Sequence, residues 1–326
     1  MKCVQCGADA KKKDRDAKGG RCPACNHPFV TEPSVDGVTD MEIKNAEKAV
    51  SGNGTFYFSK EQLEYQLQRK YRKRARWTGI VSSVLLLLFI IMLMAAIREG
   101  GGFIPGAFFS GIIGLIFFGI KSKSLKTLKG LEAVINKWLL FNPNPQLIKP
   151  GKFQNTSSNN NLEDVSFDRV LICDKNETVD FFLSNLFHFH YSCPVLGGKG
   201  YPQGIYEDML RRLKQNPNLK VFLLHDCSAE GLAFVRKMKT DRNWFGDGHR
   251  YQIIDLGLNI EQKKKLFKSM TNKQKSVTGK IKEVADVMLF KPAMLIMLCG
   301  AAINEAVALD QVQLLESATH DNGGYG

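Results

Sequence analysis

Three observations on this 326-residue chain predict an α/β protein in three parts: two close pairs of cysteines at the N-terminus, two long apolar runs in the first half, and strand–helix alternation after residue 165. The cysteines predict a metal-stapled ribbon, the runs a helical hairpin across a bilayer, and the alternation a parallel-sheet domain. The expected boundaries are 1–32 for the ribbon, 33–76 for a small helical juxtamembrane segment and 77–120 for the hairpin. An amphipathic helix over 121–141, a linker over 142–164, the α/β domain over 165–318 and a disordered tail over 319–326 complete the chain.

Cys3-x-x-Cys6-Gly7 and Cys22-Pro-x-Cys25 are separated by fifteen residues, the spacing of a four-cysteine zinc site. A two-residue gap lets both thiolates of one turn face a single ion, and two such turns complete a tetrahedron. Gly7 suits the tight turn after the first pair. The charged loop between the pairs, Lys11–Gly20, has too little apolar surface to fold without such a staple. His27 is a spare ligand type, but Cys3, Cys6, Cys22 and Cys25 already fill the shell, so the zinc is expected to be structural. Cys173, Cys193, Cys227 and Cys299 lie scattered among apolar residues and read as small core residues.

Beyond the ribbon, Asp40–Val50 is expected to be a helix capped by Asp40, and Ser51–Gly54 a turn. Thr55–Phe58 is expected to be a short strand, and Ser59 to cap a helix running to Arg76 through the capping box Ser59-Lys-Glu-Gln62. Tyr65 and Tyr71 belong to its apolar stripe, as packing or interfacial anchors. The runs Trp77–Ile97 and Phe103–Ile120 then follow, five residues apart. About 20 apolar residues suffice to cross a bilayer core, and Leu85–Ile91 and Phe108–Ile120 have no polar face to offer solvent. Two buried core helices are the alternative. Arg69, Lys70, Arg72, Lys73, Arg74 and Arg76 precede the first run, and Lys121, Lys123, Lys126 and Lys129 follow the second. The positive-inside rule therefore predicts a two-pass protein of the inner (plasma) membrane with both termini cytoplasmic. The polar, cysteine-rich N-terminus does not read as a signal peptide. The net charge of +13 would otherwise suggest nucleic acid, but the flanks of the hairpin and anionic headgroups account for most of it.

Ser124–Leu140 is expected to be amphipathic, and 142–164, rich in Pro, Asn and Ser, a linker. In the α/β part, strands are predicted at Arg169–Cys173, Ser192–Leu196, Lys220–Leu224 and Gln252–Leu256. Helices are predicted at Glu177–His190, Pro202–Gln215, Ala229–Lys239, near Ile260–Met270, and over Lys280–Leu309. Pro292–Leu309 is apolar, but Asn304, Glu305 and the small residues 300–302 favour a buried helix over a third span. Sites in such sheets lie beyond the C-terminal strand ends. Asp174 and Asp226 stand there, after the first and third strands. They either share a divalent ion or cap the helices that follow. Lys199 in the turn Gly197-Gly-Lys-Gly200 is either a phosphate contact or a solvated loop residue. Gly231 suits close helix–strand packing, and His188, His190, His225 and His249 read as core, edge or turn residues.

The segments Val170-Leu-Ile-Cys-Asp-Lys175, Gly198-Lys-Gly-Tyr-Pro202, Val221-Phe-Leu-Leu-His-Asp226-Cys-Ser-Ala-Glu-Gly231 and Leu256-Gly-Leu258 resemble the Toprim domain. They are most similar to the branch of the topoisomerase VI A subunit and its meiotic double-strand-break relative, over roughly residues 167–270. The resemblance implies a Mg²⁺ or Mn²⁺ site that steadies phosphate during strand cleavage. It places Asp174 where the family has Glu and Asp226 at the first Asp of an Asp-x-Asp pair. Ser228 stands at the second, and Glu230 is the acid nearest to compensate. Lys199 and Gly200 become phosphate contacts. No winged-helix domain bearing a nucleophilic tyrosine precedes the domain, so cleavage and rejoining are not expected.

Two functions follow. One is a membrane-anchored Toprim-like protein acting on nucleic acid or nucleotides at the cytoplasmic face through a divalent-metal site, in genome defence or DNA surveillance. The other is a non-catalytic adaptor, in which a degenerate Toprim domain and the zinc ribbon dock protein partners. Ser228 separates them, because a full acidic pair would favour the enzyme. A transporter is disfavoured by two spans without intramembrane charge.

Overall fold

The computed structural model describes residues 1–99, 104–154, 167–216, 218–246, 251–258, 272–275, 281–284 and 286–305. They form two compact units, Met1–Ala49 with Leu63–Asn144, and Val50–Gln62 with the chain from Pro145 onward.

The first unit begins with the two cysteine turns, which carry a short helix between them, α1 (Lys12–Ala17). Arg15 of α1 is buried, and its guanidinium donates to Ala10 O at 3.1 Å and Glu32 Oε2 at 2.6 Å. Helix α2 (Asp40–Val50) has the expected span but a different cap. Thr39 Oγ1 accepts from the Glu42 N–H at 3.2 Å while Glu42 Oε2 accepts from the Thr39 N–H at 2.9 Å, a capping box one residue earlier. Asp40, fully buried, turns back instead. Its carboxylate accepts from the N–H groups of Val30 and Thr31 and from the Thr31 hydroxyl, at 2.7–3.0 Å, and so fixes the exit of the ribbon.

Helices α3 (Lys60–Glu99) and α4 (Ile104–Phe141) are 40 and 38 residues long. Each is about 60 Å, twice the hydrocarbon thickness of a bilayer. Where a juxtamembrane helix and a span were expected on each side, the helix is uninterrupted. The boundary residues, Arg74–Thr78 and Ile120–Ser124, include neither a proline nor a glycine to end it. The Ser59–Gln62 capping box opens α3 as expected, with the Ser59 N–H donating to Gln62 Oε1 at 2.9 Å. The two helices run antiparallel and close. A Cβ on Gly114 would lie 3.5 Å from Leu85 Cβ, one on Gly111 would lie 3.1 Å from the Phe89 ring, and Ser82 Oγ donates to Gly114 O at 3.2 Å. Leu86, Ile90, Met94, Phe108, Ile112, Leu115 and Phe118 are exposed around this seam rather than packed in a core. Both helices are long and apolar enough to cross a membrane. Toward the other end the same helices bury Leu63, Leu67, Leu131 and Ile135 with Val38 and Ile43, and the Trp138 indole donates to Glu47 Oε1 at 3.0 Å.

The second unit holds a four-stranded parallel sheet. Strands β1 (Arg169–Cys173), β2 (Val195–Gly197), β3 (Lys220–Leu224) and β4 (Gln252–Asp255) stand in the order β2-β1-β3-β4. Val170, Ile172, Val221 and Leu223 share a core with Leu196, Met209, Leu213, Met238 and Trp244. The alternate residues Leu171, Cys173, Phe222 and Leu224 are equally buried, so both sheet faces are covered.

Helix α5 (Asn176–Ser184) follows β1 and is separate from α6 (Phe187–His190), where one helix was expected. The break is Leu186, whose φ of 55° is left-handed. Helices α7 (Gln203–Gln215) and α8 (Ala229–Lys239) lead into and out of β3, and α9 (Arg242–Phe245) follows.

Thr55–Phe58 is not a strand but contributes a single bridge, Phe58 to Leu147. The first part of the segment read as a linker is stitched to this unit. The Gly151 N–H donates to Asp180 Oδ2 at 2.7 Å, the Phe153 N–H donates to Tyr201 Oη at 3.1 Å, and Asn185 exchanges two hydrogen bonds with the Tyr57 backbone.

The helix expected over Lys280–Leu309 is instead three elements. Strand β6 (Ile281–Val284) pairs antiparallel with β5 (Asn272–Lys275), a 3-10 turn spans Val287–Leu289, and α10 spans Pro292–Glu305. Buried Leu295, Leu298, Cys299 and Ile303 make α10 a core helix, as anticipated. The predicted helix near 260–270, His249 and the tail 319–326 lie outside the described residues.

Asp40→Ala is expected to destabilise the first unit by about 3 kcal/mol, because three donors lose a charged acceptor. Faster limited proteolysis of the detergent-solubilised chain near residues 30–40 checks it, and Asp40→Asn, which keeps one acceptor oxygen, should recover part of the loss.

Candidate functional site

The four N-terminal cysteines converge: their sulfurs all lie within 4.8 Å of one another, close enough to bind one metal ion. Cys3 and Cys25 sulfurs are 3.6 Å apart, and Cys6 and Cys22 sulfurs 3.7 Å. Metal–sulfur bonds of about 2.3 Å in a tetrahedron give about 3.8 Å. The two turns are built alike. In each, the N–H of the residue after the second cysteine returns to the carbonyl of the first, Gly7 to Cys3 at 3.0 Å and Asn26 to Cys22 at 2.9 Å. Both residues are left-handed, with φ of 77° and 62°. Gly7 was legible in the sequence; Asn26, the residue type next most tolerant of that conformation, does the same work. Against desolvation, N–H groups of Cys25 and Ala24 pull Cys22 down to about 7. The His27 N–H lowers Cys25, but desolvation and the other three thiols outweigh it and push Cys25 up to about 12. Four sulfurs at this spacing are placed to hold one metal ion.

The second candidate is the C-terminal edge of the sheet. Because β1 connects leftward to β2 and the chain then crosses to β3, the switch point lies between β1 and β3. Asp174 and Asp226 emerge on its two sides and meet, as Asp174 Oδ2 accepts the Asp226 N–H at 3.1 Å. Neither caps a helix. Lys175 is the N-cap of α5 without a side-chain bond, and Ser228 caps α8, its Oγ accepting from the Gly231 N–H at 2.9 Å. Gly231 has the expected packing role: a Cβ there would stand 2.2 Å from the Asp226 carbonyl oxygen. Glu230 is exposed in the first turn of α8.

A cation from the chain itself enters this edge. The Lys175 ammonium pairs with Asp226 Oδ2 and, at 2.6 Å, with Asp286 Oδ2. The remaining oxygens are largely engaged. Asp226 Oδ1 accepts the Val287 N–H and Asp286 Oδ1 the Met288 N–H, each at 2.7 Å. Of the six oxygens of Asp174, Asp226 and Asp286, five therefore have a hydrogen-bond or ion-pair partner, Asp226 Oδ2 through the Lys175 ion pair alone, and buried Asp174 Oδ1 has neither. A magnesium-type ion takes about six oxygens, several from water. With Lys175 on Asp226 and Ser228 turned to its own helix, the residues as arranged do not fit one. Burial, then the carboxylates of Asp286 and Asp174, push fully buried Asp226 up to about 7 against the pull of Lys175. Burial likewise raises Asp174.

His225 and Asp255 extend the edge. His225 Nδ1 lies 2.8 Å from the Asp226 carbonyl oxygen and Nε2 lies 3.1 Å from Asp255 Oδ1. Both partners accept while Asp255 is ionised, an arrangement that favours the protonated ring. Burial opposes this, but the bonds to Asp255 and the carbonyl hold His225 above its ordinary value, and the same bond holds Asp255 below its own against burial. Gly257 of the Leu-Gly-Leu segment makes room, since a Cβ there would fall 2.0 Å from the ring. The Gly197–Gly200 turn folds against α5 and α7. Gly200 has a φ of 83° beneath the Tyr206 ring, Tyr201 Oη donates to buried Asp180, and Lys199 is exposed. Sequence reasoning located Asp174 and Asp226 but missed Asp286, Asp255 and the pairing of Lys175. Strand-end position signals the first two; the others meet them only through the fold.

No protein-family model matches the chain, and neither a curated protein nor a solved structure is significantly similar to it.

Lys175→Met leaves Asp226 and Asp286 without their shared cation. A loss of about 2 kcal/mol is expected near pH 8, less than for a fully buried pair because Lys175 is partly solvated. Folded Asp226 keeps its proton up to about 7, whereas an unfolded aspartate loses it near about 4. The stability from that proton is therefore full below about pH 4 and gone above about pH 7. The deficit of the variant should accordingly shrink on acidification to about pH 5.5, as read by denaturant titrations at both pH values.

Proposed function

We propose that this chain is a membrane-tethered docking protein. On this reading α3 and α4 cross the inner membrane as a two-pass hairpin with both termini cytoplasmic, and a zinc-bound ribbon and a Toprim-like α/β domain face the same compartment. Zinc on Cys3, Cys6, Cys22 and Cys25 is structural, since four thiolates leave no open position for substrate. The observation that carries the docking assignment is the Lys175 ammonium between Asp226 and Asp286. It stands where a catalytic edge of this kind would need a divalent ion, and Ser228 supplies no replacement charge. Partners are proteins or nucleotides held without chemistry.

A second reading is an enzyme acting on nucleic acid or nucleotides with Mg²⁺ or Mn²⁺. What favours it is the uncommitted Asp174 Oδ1 beside Asp226 at the switch point, with Lys199 and Gly200 as phosphate contacts and Glu230 as an auxiliary acid.

Metal analysis of the purified full chain is expected to find one zinc, lost in Cys22→Ser, and Mn²⁺ titration followed by electron paramagnetic resonance should show no saturable site. Saturable Mn²⁺ binding that disappears in Asp174→Asn, together with nuclease or nucleotide-hydrolysis activity that disappears in the same variant, would replace docking by the enzymatic reading.

A further inference from the structure

The hairpin carries a charged collar that ion pairs among the described residues do not balance. Immediately below the exposed apolar belt, α3 presents Lys73, Arg74 and Arg76, and α4 presents Lys121, Lys123 and Lys126. Among the described residues none of these six has a carboxylate within ion-pairing distance, whereas Lys70, one turn further out, is paired with Glu42.

The antiparallel register makes the clustering sharper than the sequence suggests. Gly79 lies opposite Lys121, as a Cβ on Gly79 would come 3.3 Å from Lys121 Cδ and Cε and 3.4 Å from Nζ. Counting outward from that pair, Lys123 comes level with Trp77, next to Arg76, and Lys126 level with Arg74, next to Lys73. The six like charges therefore fall within one band of the two adjacent helices, about 10 Å long, and five of them are exposed. Such clustering is destabilising unless anions lie among the side chains. The half-buried Lys121 lies across the glycine notch at the edge of the belt, at the depth where phospholipid phosphates would stand.

We propose that this collar is a binding site for the phosphates of anionic glycerophospholipids, with the Lys121–Gly79 notch at its belt-proximal end. The occupant follows from continuity and charge. The apolar belt that continues from the collar fits acyl chains, and six unpaired cations on one rim fit an anionic headgroup layer rather than a neutral one. The site rests on the reading that the hairpin crosses a membrane, and is independent of whether the α/β domain docks or catalyses.

The full chain is reconstituted into nanodiscs of mixed phosphatidylcholine and phosphatidylglycerol, and lipids retained on delipidation are counted by native mass spectrometry. The wild type should retain phosphatidylglycerol over phosphatidylcholine, with each neutralised collar residue reducing the preference by up to about fivefold. Lys121→Gln/Lys123→Gln/Lys126→Gln should abolish it, and the triple Arg variant at the same positions should keep it. Equal retention in wild type and the Gln variant, or no preference in either, overturns the proposal. Loss of the bound lipid to inorganic phosphate overturns it in favour of a free-phosphate site. A chain that does not co-elute with nanodiscs at all refutes the membrane reading instead, a distinct result.

Discussion

The Lys175 ammonium, shared by Asp226 and Asp286, joins three segments that are far apart in the chain. Asp226 stands fully buried at the end of a central strand, where an ionised carboxylate without compensation costs several kcal/mol. Its two oxygens tie the start of α5 to the 3-10 turn through Lys175 and the Val287 N–H. Gly231 lets α8 approach the carbonyl of the same residue. The placement of each neighbouring element therefore depends on how this one charge is compensated. Four carboxylates, those of Asp174, Asp226, Asp255 and Asp286, face the Lys175 ammonium and the His225 ring. Burial raises both Asp174 and Asp226, which lessens the negative charge left to compensate.

The same rule, that clustered like charge must find a counter-ion, applies at the other two charge-dense places. Four sulfurs within 4.8 Å of one another are close enough to bind a metal cation. The lysines and arginines below the apolar belt call for anions, which a bilayer surface would supply. The three places differ in where the compensating charge comes from: a metal ion in the proposed ribbon site, the chain itself at the sheet edge, and lipid at the proposed collar. At the sheet edge a lysine of the chain supplies the compensating charge, at the place where a catalytic ion would have been sought.

Long uninterrupted helices give the first unit its character. α3 and α4 change from lipid-compatible to core-forming surfaces without a break, because helix geometry is indifferent to which solvent its side chains meet. Glycines at 111 and 114 let the helices approach where apolar residues face outward, and large side chains such as Leu131, Ile135 and Trp138 fill the core at the other end.

Local pattern alone determined much of this protein. Continuous apolar runs marked Arg169–Cys173 and Lys220–Leu224, strand–helix alternation marked Ala229–Lys239, and cysteine spacing marked the two turns whose sulfurs converge. Patterns compatible with two periods misled: Ile281, Val284 and Val287 recur every three residues, as a helix would have them, yet the first two lie in a strand. The break at Leu186 carries no signal, since leucine rarely adopts a left-handed backbone and only packing imposes it. Asp174 and Asp226 were readable because a strand end is a local feature. What became of them was not: Lys175 and Asp286 are 111 positions apart, and Asp226 and Val287 are 61 apart. Whether a carboxylate meets a metal, a proton or a lysine depends on which distant segment folds over it, and only the tertiary structure brings that segment there.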